Sequence, residues 1–286
     1  MRKVLIIGKD SYIGENLYRW FCRLDKEYEV RIVSSLNYEW KKVDFSKYDT
    51  VINLAGIAHI NKIESEMKAL FYSVNCDLAI EIGKYAKECG VSQFVHFSSM
   101  NVYGDYCNNL SNREDVNPSS FYGDSKLQGD LGLRKLVDAD FIVAHIRPPF
   151  VYGKGCKGNY KIISKIATRI PVFPTYENRK SMIYIDNLCE FVRLVVENRM
   201  DGYLTPQNKE LVSTAVLVGE IARQSGRKIW FTGLFNWLVP IIKKMKIGKK
   251  AFCDDCYNLE ISSYFDFEYC VVDFCESIKR TERHEG

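Results

Sequence analysis

Val4-Leu5-Ile6-Ile7-Gly8-Lys9-Asp10-Ser11-Tyr12-Ile13-Gly14 decides how the rest of the chain is read. Four apolar residues suffice for a buried strand, and the glycine that ends them opens a stretch with helical spacing at Ile13, Leu17, Trp20, Phe21 and Leu24. A strand that turns on glycine into a helix is where a dinucleotide fold seats a pyrophosphate. The first amides of such a helix lack intrahelical partners, and its dipole favours negative charge there. Gly8 would permit the turn and Gly14 the close packing of helix on strand. Ser11, standing where a middle glycine is commonest, can still offer its backbone N–H. The same pattern also serves as a plain strand-to-helix turn.

Further short apolar or β-branched runs lie at 28–34, 50–56, 93–99 and 140–147, each short enough for a buried strand. Between them come helical spacings such as Leu78, Ile82, Tyr85 and Ala86, then Leu127, Leu131, Leu133 and Leu136. This alternation predicts a parallel sheet covered by helices on both faces, a doubly wound α/β Rossmann fold. After residue 150 the chain is punctuated by glycine, proline and aromatic residues, with helical patterns over 160–169, 187–198 and 214–224. We expect residues 1–150 to form the nucleotide-binding Rossmann domain. Residues 151–286 would be mainly a smaller substrate-binding cap, with the segment around 181–212 returning to the first domain.

The 286 residues carry 40 Lys and Arg against 36 Asp and Glu, a net charge of +4, too little for a chain whose main task is neutralising a nucleic-acid backbone. The ten cysteines sit in a long chain whose N-terminus does not read as a signal peptide, so a cytoplasmic protein with reduced thiols is expected. The longest apolar run, 229–242, is broken by Asn236 and Pro240 and falls short of the ~20 residues that span a bilayer. Followed by Lys243, Lys244, Lys246, Lys249 and Lys250, the stretch 230–250 can touch an anionic membrane surface weakly or form a solvated surface helix of the cap. Cys253 and Cys256 have a zinc-like spacing, but Cys270 and Cys275 do not complete it and 269–274 reads as a strand, so no metal is expected. His59, His96 and His145 lie in or beside predicted strands and read as satisfied polar groups.

The run Ser98-Ser99-Met100-Asn101-Val102-Tyr103-Gly104 ends the fourth strand, and further along comes Tyr122-Gly123-Asp124-Ser125-Lys126. Positions i and i+4 share a helix face, so Tyr122 and Lys126 would point at one place. An ammonium beside a phenol favours the phenolate and would bring its pKa from about 10 toward the working range. Ser99, at a strand end, can hold the reacting oxygen. With 18 tyrosines a Tyr-x-x-x-Lys by itself also suits an ordinary amphipathic helix. The combination says more: a glycine turn after the first strand, Asn53-Leu54-Ala55-Gly56 after a later one, the serine strand end and Tyr122 with Lys126 follow one another in a workable order.

In that combination the chain resembles the extended short-chain dehydrogenase/reductases of the nucleotide-sugar epimerase/dehydratase type, over almost its whole length. The resemblance implies Ser99, Tyr122 and Lys126 as the catalytic triad, with Ser99 also touching substrate and Lys126 also holding the nicotinamide ribose. It implies NAD or NADP bound by Gly8, Ser11, Tyr12, Ile13, Gly14, Ser34, Asp44, Leu54, Ala55 and Gly56 together with Tyr122 and Lys126. The family's ribose-binding carboxylate would fall at Ser34. An uncharged residue there, with Lys9 and Arg31 nearby, would admit the extra phosphate of NADP. Asp44 resembles the residue that meets the adenine, and would equally serve as a turn carboxylate.

Arg179 precedes Ser181-Met182-Ile183-Tyr184-Ile185, which is similar to the family's strand whose leading arginine grips the diphosphate of a UDP-sugar; a solvated loop charge is the other reading. More loosely, Asn159 would meet the nucleotide end. Arg147-Pro148-Pro149-Phe150-Val151-Tyr152-Gly153 follows the last core strand, at an edge where open sheets bind ligands. The run from Arg147 to Asn159 is similar to bacterial proteins of surface-polysaccharide synthesis that reduce a 4-keto-6-deoxy-hexosamine on UDP. The implied activity is hydride transfer at C4 of a UDP-hexose or UDP-N-acetylhexosamine. A 4-keto reductase is the leading form, a 4-epimerase with tightly held NAD the alternative, and a non-catalytic cofactor-sensing binding protein a third reading. The family also implies a homodimer formed through helices near 78–89 and 127–137.

Overall fold

The computed structural model describes residues 1–58, 64–105 and 108–283. Its strands are β1 (Arg2–Ile7), β2 (Tyr28–Val33), β3 (Thr50–Asn53), β4 (Gln93–Phe97), β5 (Ile142–Ile146), β6 (Phe150–Tyr152), β7 (Val172–Pro174), β8 (Met182–Tyr184), β9 (Gly202–Leu204) and β10 (Trp230–Thr232). Its helices are α1 (Tyr12–Cys22), α2 (Glu64–Tyr72), α3 (Leu78–Glu88), α4 (Phe121–Arg134), α5 (Asn159–Ala167), α6 (Ile185–Glu197), α7 (Thr214–Gln224), α8 (Val239–Ile242), α9 (Lys246–Phe252) and α10 (Phe274–Glu282). Six strands make one parallel sheet in the order β2-β1-β3-β4-β5-β9. From β1 the chain steps outward to β2 and then back past β1 to β3, so the order reverses between β1 and β3. Right-handed crossovers then put α1 and α3 on opposite faces, and the crevice at the carboxyl ends of β1 and β3 is where such sheets take ligands.

Burial on both faces explains why the strands are nearly continuous in apolar residues: Val4 to Ile7 of β1, all of β3 and all of β4 are buried. Ala79, Ile82 and Ala86 of α3 and Leu133 of α4 pack in one cluster with Leu5, Ile7, Val51, Phe94 and Val143. In the other helical layer Trp20 of α1 donates through Nε1 to Glu190 Oε2 of α6 at 3.1 Å.

The chain divides into two compact units. The first comprises Met1–Asp105, Asn112–Pro148 and Cys189–Pro206, and holds the six-stranded sheet. The second comprises Tyr106–Ser111, Pro149–Leu188 and Gln207–Gly286, and holds two parallel ribbons, β6 with β8 and β7 with β10. The segment that returns to the first unit is therefore shorter than the expected 181–212. Residues 181–188 and 207–212 stay with the second unit because β8 pairs with β6, and Lys180 and Val212 exchange two backbone hydrogen bonds of 3.1 Å.

Two expectations for the second unit need correction. The 269–274 segment is a turn leading into α10, capped by Asp273, and not a strand: Val272 spends its backbone N–H and C=O on the Asn187 side chain, at 2.9 Å each, leaving nothing for a ladder. The stretch 230–242 is not one surface helix but β10, a 3-10 turn over Gly233–Leu238 and the short α8, with Pro240 in the first turn of α8. No helix among the described residues is long and apolar enough to cross a membrane. His59 lies outside the described residues.

Candidate active site

The end of β1 is held from both sides: the Gly8 amide donates to Val33 O at 2.9 Å and the Leu54 amide to Ile7 O at 2.8 Å. Ser11 caps α1, its Oγ accepting from the Gly14 amide at 3.0 Å and donating to Gly8 O at 2.6 Å. Its own amide donates to Gly8 O at 3.1 Å, so the expectation that the Ser11 N–H would be offered to a ligand is wrong. Tyr12 and Ile13 are the first two helical positions of α1, ahead of its intrahelical hydrogen-bond ladder. The left-handed residue of the turn is Asp10, at φ 68°, a conformation that aspartate tolerates better than most side chains.

Gly14 is required by close approach. A Cβ there would stand 2.2 Å from the Gly8 carbonyl oxygen, which is backbone and cannot swing away. The residues present thus fit the pyrophosphate of a dinucleotide: Tyr12 and Ile13 would hold it, with Gly8 and Gly14 keeping the cradle narrow. Gly14→Ala is expected to destabilise the chain by about 1–3 kcal/mol, as overpacking does, and to abolish saturable NADH binding. Urea denaturation and NADH fluorescence titration check the two effects, and normal NADH affinity in the variant would contradict this role for the turn.

Ser34, just past β2, is buried and accepts the Leu36 amide at 3.1 Å on Oγ, so no carboxylate stands at that strand end. Asp44 is exposed and caps the 3-10 turn Phe45–Lys47, accepting the Ser46 hydroxyl at 2.6 Å and the Ser46 amide at 3.2 Å. The Ser46 hydroxyl is the main reason its carboxyl sits below the usual range.

At the end of β4, Ser99 caps the 3-10 turn Met100–Tyr103, its Oγ accepting the Asn101 amide at 3.2 Å. Helix α4 begins under its own cap, Ser120, whose Oγ accepts the Gly123 amide at 3.1 Å. This start places Tyr122 in the first turn, near enough to Ser99 for that hydroxyl to draw the phenol's pKa down, and with its ring 6.0 Å from that of Phe71. One turn later Lys126, buried, donates through Nζ to Phe97 O at 2.9 Å. The loop after β3 closes the arrangement: a Cβ on Gly56 would lie 2.7 Å from Lys126 Nζ. Ser99, Tyr122, Lys126 and Gly56 are therefore brought together from three elements of the first unit.

The electrostatics differ from expectation at Tyr122. Burial dominates its pKa and raises it, opposed by the Ser99 hydroxyl. Burial instead pushes the Lys126 ammonium down to about 8, opposed by Asp130. In this state the shielding of both groups from water outweighs the pairing read from the sequence.

Two functional positions had not been singled out. Asn75, in a π-turn over Ser73–Asp77, accepts the Ile57 amide at 2.9 Å and donates to Ile57 O and to Ser125 Oγ, each at 3.1 Å. It ties the Gly56 loop to α4. Asp130, one turn beyond Lys126, is wholly buried. It accepts Ser98 Oγ at 2.9 Å, His145 Nδ1 at 3.1 Å and Arg147 Nε at 3.0 Å. Arg147, expected at a ligand-binding edge, is also wholly buried: it donates to Tyr103 Oη and to Arg113 O at 2.8 Å each, and its guanidinium lies 3.8 Å over the Tyr203 ring. It braces the sheet end instead of meeting substrate. His96 is kept neutral by burial, with Nδ1 3.3 Å from Asn53 Nδ2, while its Nε2, expected to be satisfied, has no hydrogen bond. The i+4 repeat from Tyr122 through Lys126 could have revealed Asp130; nothing in the sequence singles out Asn75.

The substrate-side residues belong to the second unit. Asn159 is the exposed first residue of α5. Arg179 is half exposed, donating through Nη2 to Asn108 Oδ1 at 2.8 Å with Asp254 Oδ2 at 3.6 Å.

Comparison with known proteins places this geometry in context. The model of the NAD dependent epimerase/dehydratase family matches residues 4–204. A UDP-glucose 4-epimerase of Vibrio cholerae is 24% identical over 283 residues, 88% of this chain and 84% of that protein. An N-acetyl-alpha-D-glucosaminyl-diphospho-ditrans,octacis-undecaprenol 4-epimerase of Escherichia coli O157:H7 is 28% identical over 246 residues, 79% of this chain and 73% of that one. In fold, the chain is similar to a UDP-glucuronic acid 4-epimerase from Bacillus cereus solved in complex with NAD, with a TM-score of 0.74, 16% identity and coverage of 98% and 97%.

Proposed function

Because the chain belongs to the NAD dependent epimerase/dehydratase family, a family of enzymes, we infer that it moves hydride between NAD(P) and C4 of a UDP-linked hexose or hexosamine, in the direction that reduces a 4-keto sugar. The observation that carries the reading is the meeting of Ser99, Tyr122 and Lys126 at the end of β4, beside the Gly56 loop. The chemistry supplied by the bound cofactor is hydride exchange with the sugar carbon. Tyr122 gives the proton to the oxygen on C4, and Ser99, beside the phenol, holds that oxygen in line. Lys126, fixed on Phe97 O, supplies the positive charge that favours the phenolate left behind. Arg179 exchanges its Asn108 and Asp254 partners for the diphosphate, and Asn159 takes the nucleotide end.

Reduction consumes cofactor at every turnover, and the absence of a carboxylate at Ser34 supports an exchangeable NADPH. A second reading, 4-epimerisation with retained NAD, is favoured by the activities named for both curated relatives. Incubating the protein with a UDP-4-keto-6-deoxy-hexosamine and NADPH, and separately with UDP-glucose or UDP-N-acetylglucosamine without reductant, separates them. Stoichiometric NADPH loss in the first supports reduction, and epimerised sugar in the second supports the alternative. Ser34→Asp should cut the NADPH-to-NADH ratio of kcat/KM by at least about tenfold, since like charges brought together cost heavily. An unchanged ratio would place the 2′-phosphate elsewhere.

A further inference from the structure

Between Trp230 and Met245 the second unit presents six large apolar side chains to water. Trp230 is 76% exposed, Leu234 72%, Trp237 68% and Met245 64%, and Phe235 and Ile241 are exposed as well. The strip has its own inward anchors. Phe231 packs edge-on against Phe173 with centroids 6.3 Å apart, Val239 is fully buried, and Asn236 Nδ2 donates to Thr175 O at 3.2 Å. Inward and outward residues are thus sorted, and the outward set is not the remainder of a loosely packed core. Across the β7-β10 ribbon Trp230 pairs with Val172, itself exposed, which widens the strip. Exposed apolar residues are unremarkable when scattered singly, but a contiguous group of this kind marks a surface that something covers.

The charge pattern says what covers it. From Trp230 to Lys250 there is no Asp or Glu. Lys244, Lys249 and Lys250 are exposed, and Lys243 donates to Tyr176 Oη at 2.7 Å with its ammonium 4.5 Å over that ring. Tryptophans suit the water-to-hydrocarbon boundary, where an apolar ring meets lipid and its N–H stays wet. Lysines beside them are drawn to anionic headgroups. The break at Pro240 and the 3-10 turn exclude a spanning helix and suit a strip that lies in the interface plane.

We propose that the Trp230 to Met245 strip, with the lysines that follow it, docks the protein peripherally on an anionic lipid bilayer. The proposal goes beyond the reaction inferred above and does not depend on its direction.

The test is cosedimentation of the full chain with phosphatidylcholine vesicles with or without phosphatidylglycerol. Wild type should sediment with the anionic vesicles at low ionic strength, far less with phosphatidylcholine alone, and less as salt rises. Each lysine near such a surface is worth about fivefold in binding, so Lys249→Glu with Lys250→Glu should weaken it by at least about 25-fold. Leu234→Ser with Trp237→Ser should weaken it by at least about tenfold, with thermal melting unchanged because both side chains face water. Failure of wild type to sediment with anionic vesicles at low salt would overturn the proposal, as would undiminished binding by L234S/W237S. Conversion of a wild-type oligomer to monomer by L234S/W237S, without lipid binding by wild type, would assign the strip to a second copy of the chain and overturn it too. The salt dependence of wild type tests the electrostatic half with no substitution at all.

Discussion

Replacing Tyr122 with phenylalanine is expected to lower turnover by about 10²- to 10⁴-fold, the usual worth of a positioned acid or base, while NADH titrates the variant as it does wild type. Phenylalanine keeps the ring near Phe71 and removes only the hydroxyl that meets Ser99. Loss of rate with intact cofactor binding is therefore the signature of a lost proton donor and not of a collapsed site. The pH profile adds a sign. Burial lowers the Lys126 ammonium to about 8, so in free enzyme the charge is present below that pH and lost above it. If the charge supports the phenolate, kcat/KM of wild type declines as pH rises through about 8. Equal turnover by wild type and Y122F would remove the enzyme reading altogether.

The largest effect on stability is expected at Asp130→Asn, a loss of about 3–5 kcal/mol, because breaking a buried ion pair strands the other charge. Asparagine matches aspartate in size, so the loss comes from charge: Arg147, wholly buried, would keep its guanidinium without a carboxylate, and one of the two oxygens that now accept from His145, Ser98 and Arg147 would become an amide donor. Burial works to raise the Asp130 pKa, but His145 and Arg147 outweigh it and hold the carboxyl far below the usual range. A depressed carboxylate pKa contributes stability that is complete above its unfolded value near 4 and lost as pH falls below it. Wild type should therefore lose stability on acidification below pH ~4 more steeply than D130N. Urea midpoints at neutral and acid pH measure both claims, and an unchanged midpoint at neutral pH would refute the first.

How much of this was legible in the sequence depended on whether a feature is local. The sheet strands could be read because burial on both faces makes them near-continuous apolar runs, as in Val4 to Ile7. Ser99, Tyr122 and Lys126 could be named because a strand end and an i, i+4 spacing bring them together. What escaped is long-range. The 269–274 segment has strand composition, yet its ladder groups are taken by Asn187, far away in sequence. The Tyr122 pKa was misjudged because spacing reveals a neighbouring charge but not how deeply the phenol is shielded from water. The Ser11 amide was misassigned because the one-letter pattern does not say that the turn closes on Gly8 O.

The carboxylate shared by Ser98, His145 and Arg147 also limits how this sheet end can drift under mutation. Substitution costs within such a cluster do not add, since each member's penalty depends on which of the others remain. A combinatorial library randomised at these four positions should return survivors in matched sets, with single exchanges purged, so the quartet is inherited as one block.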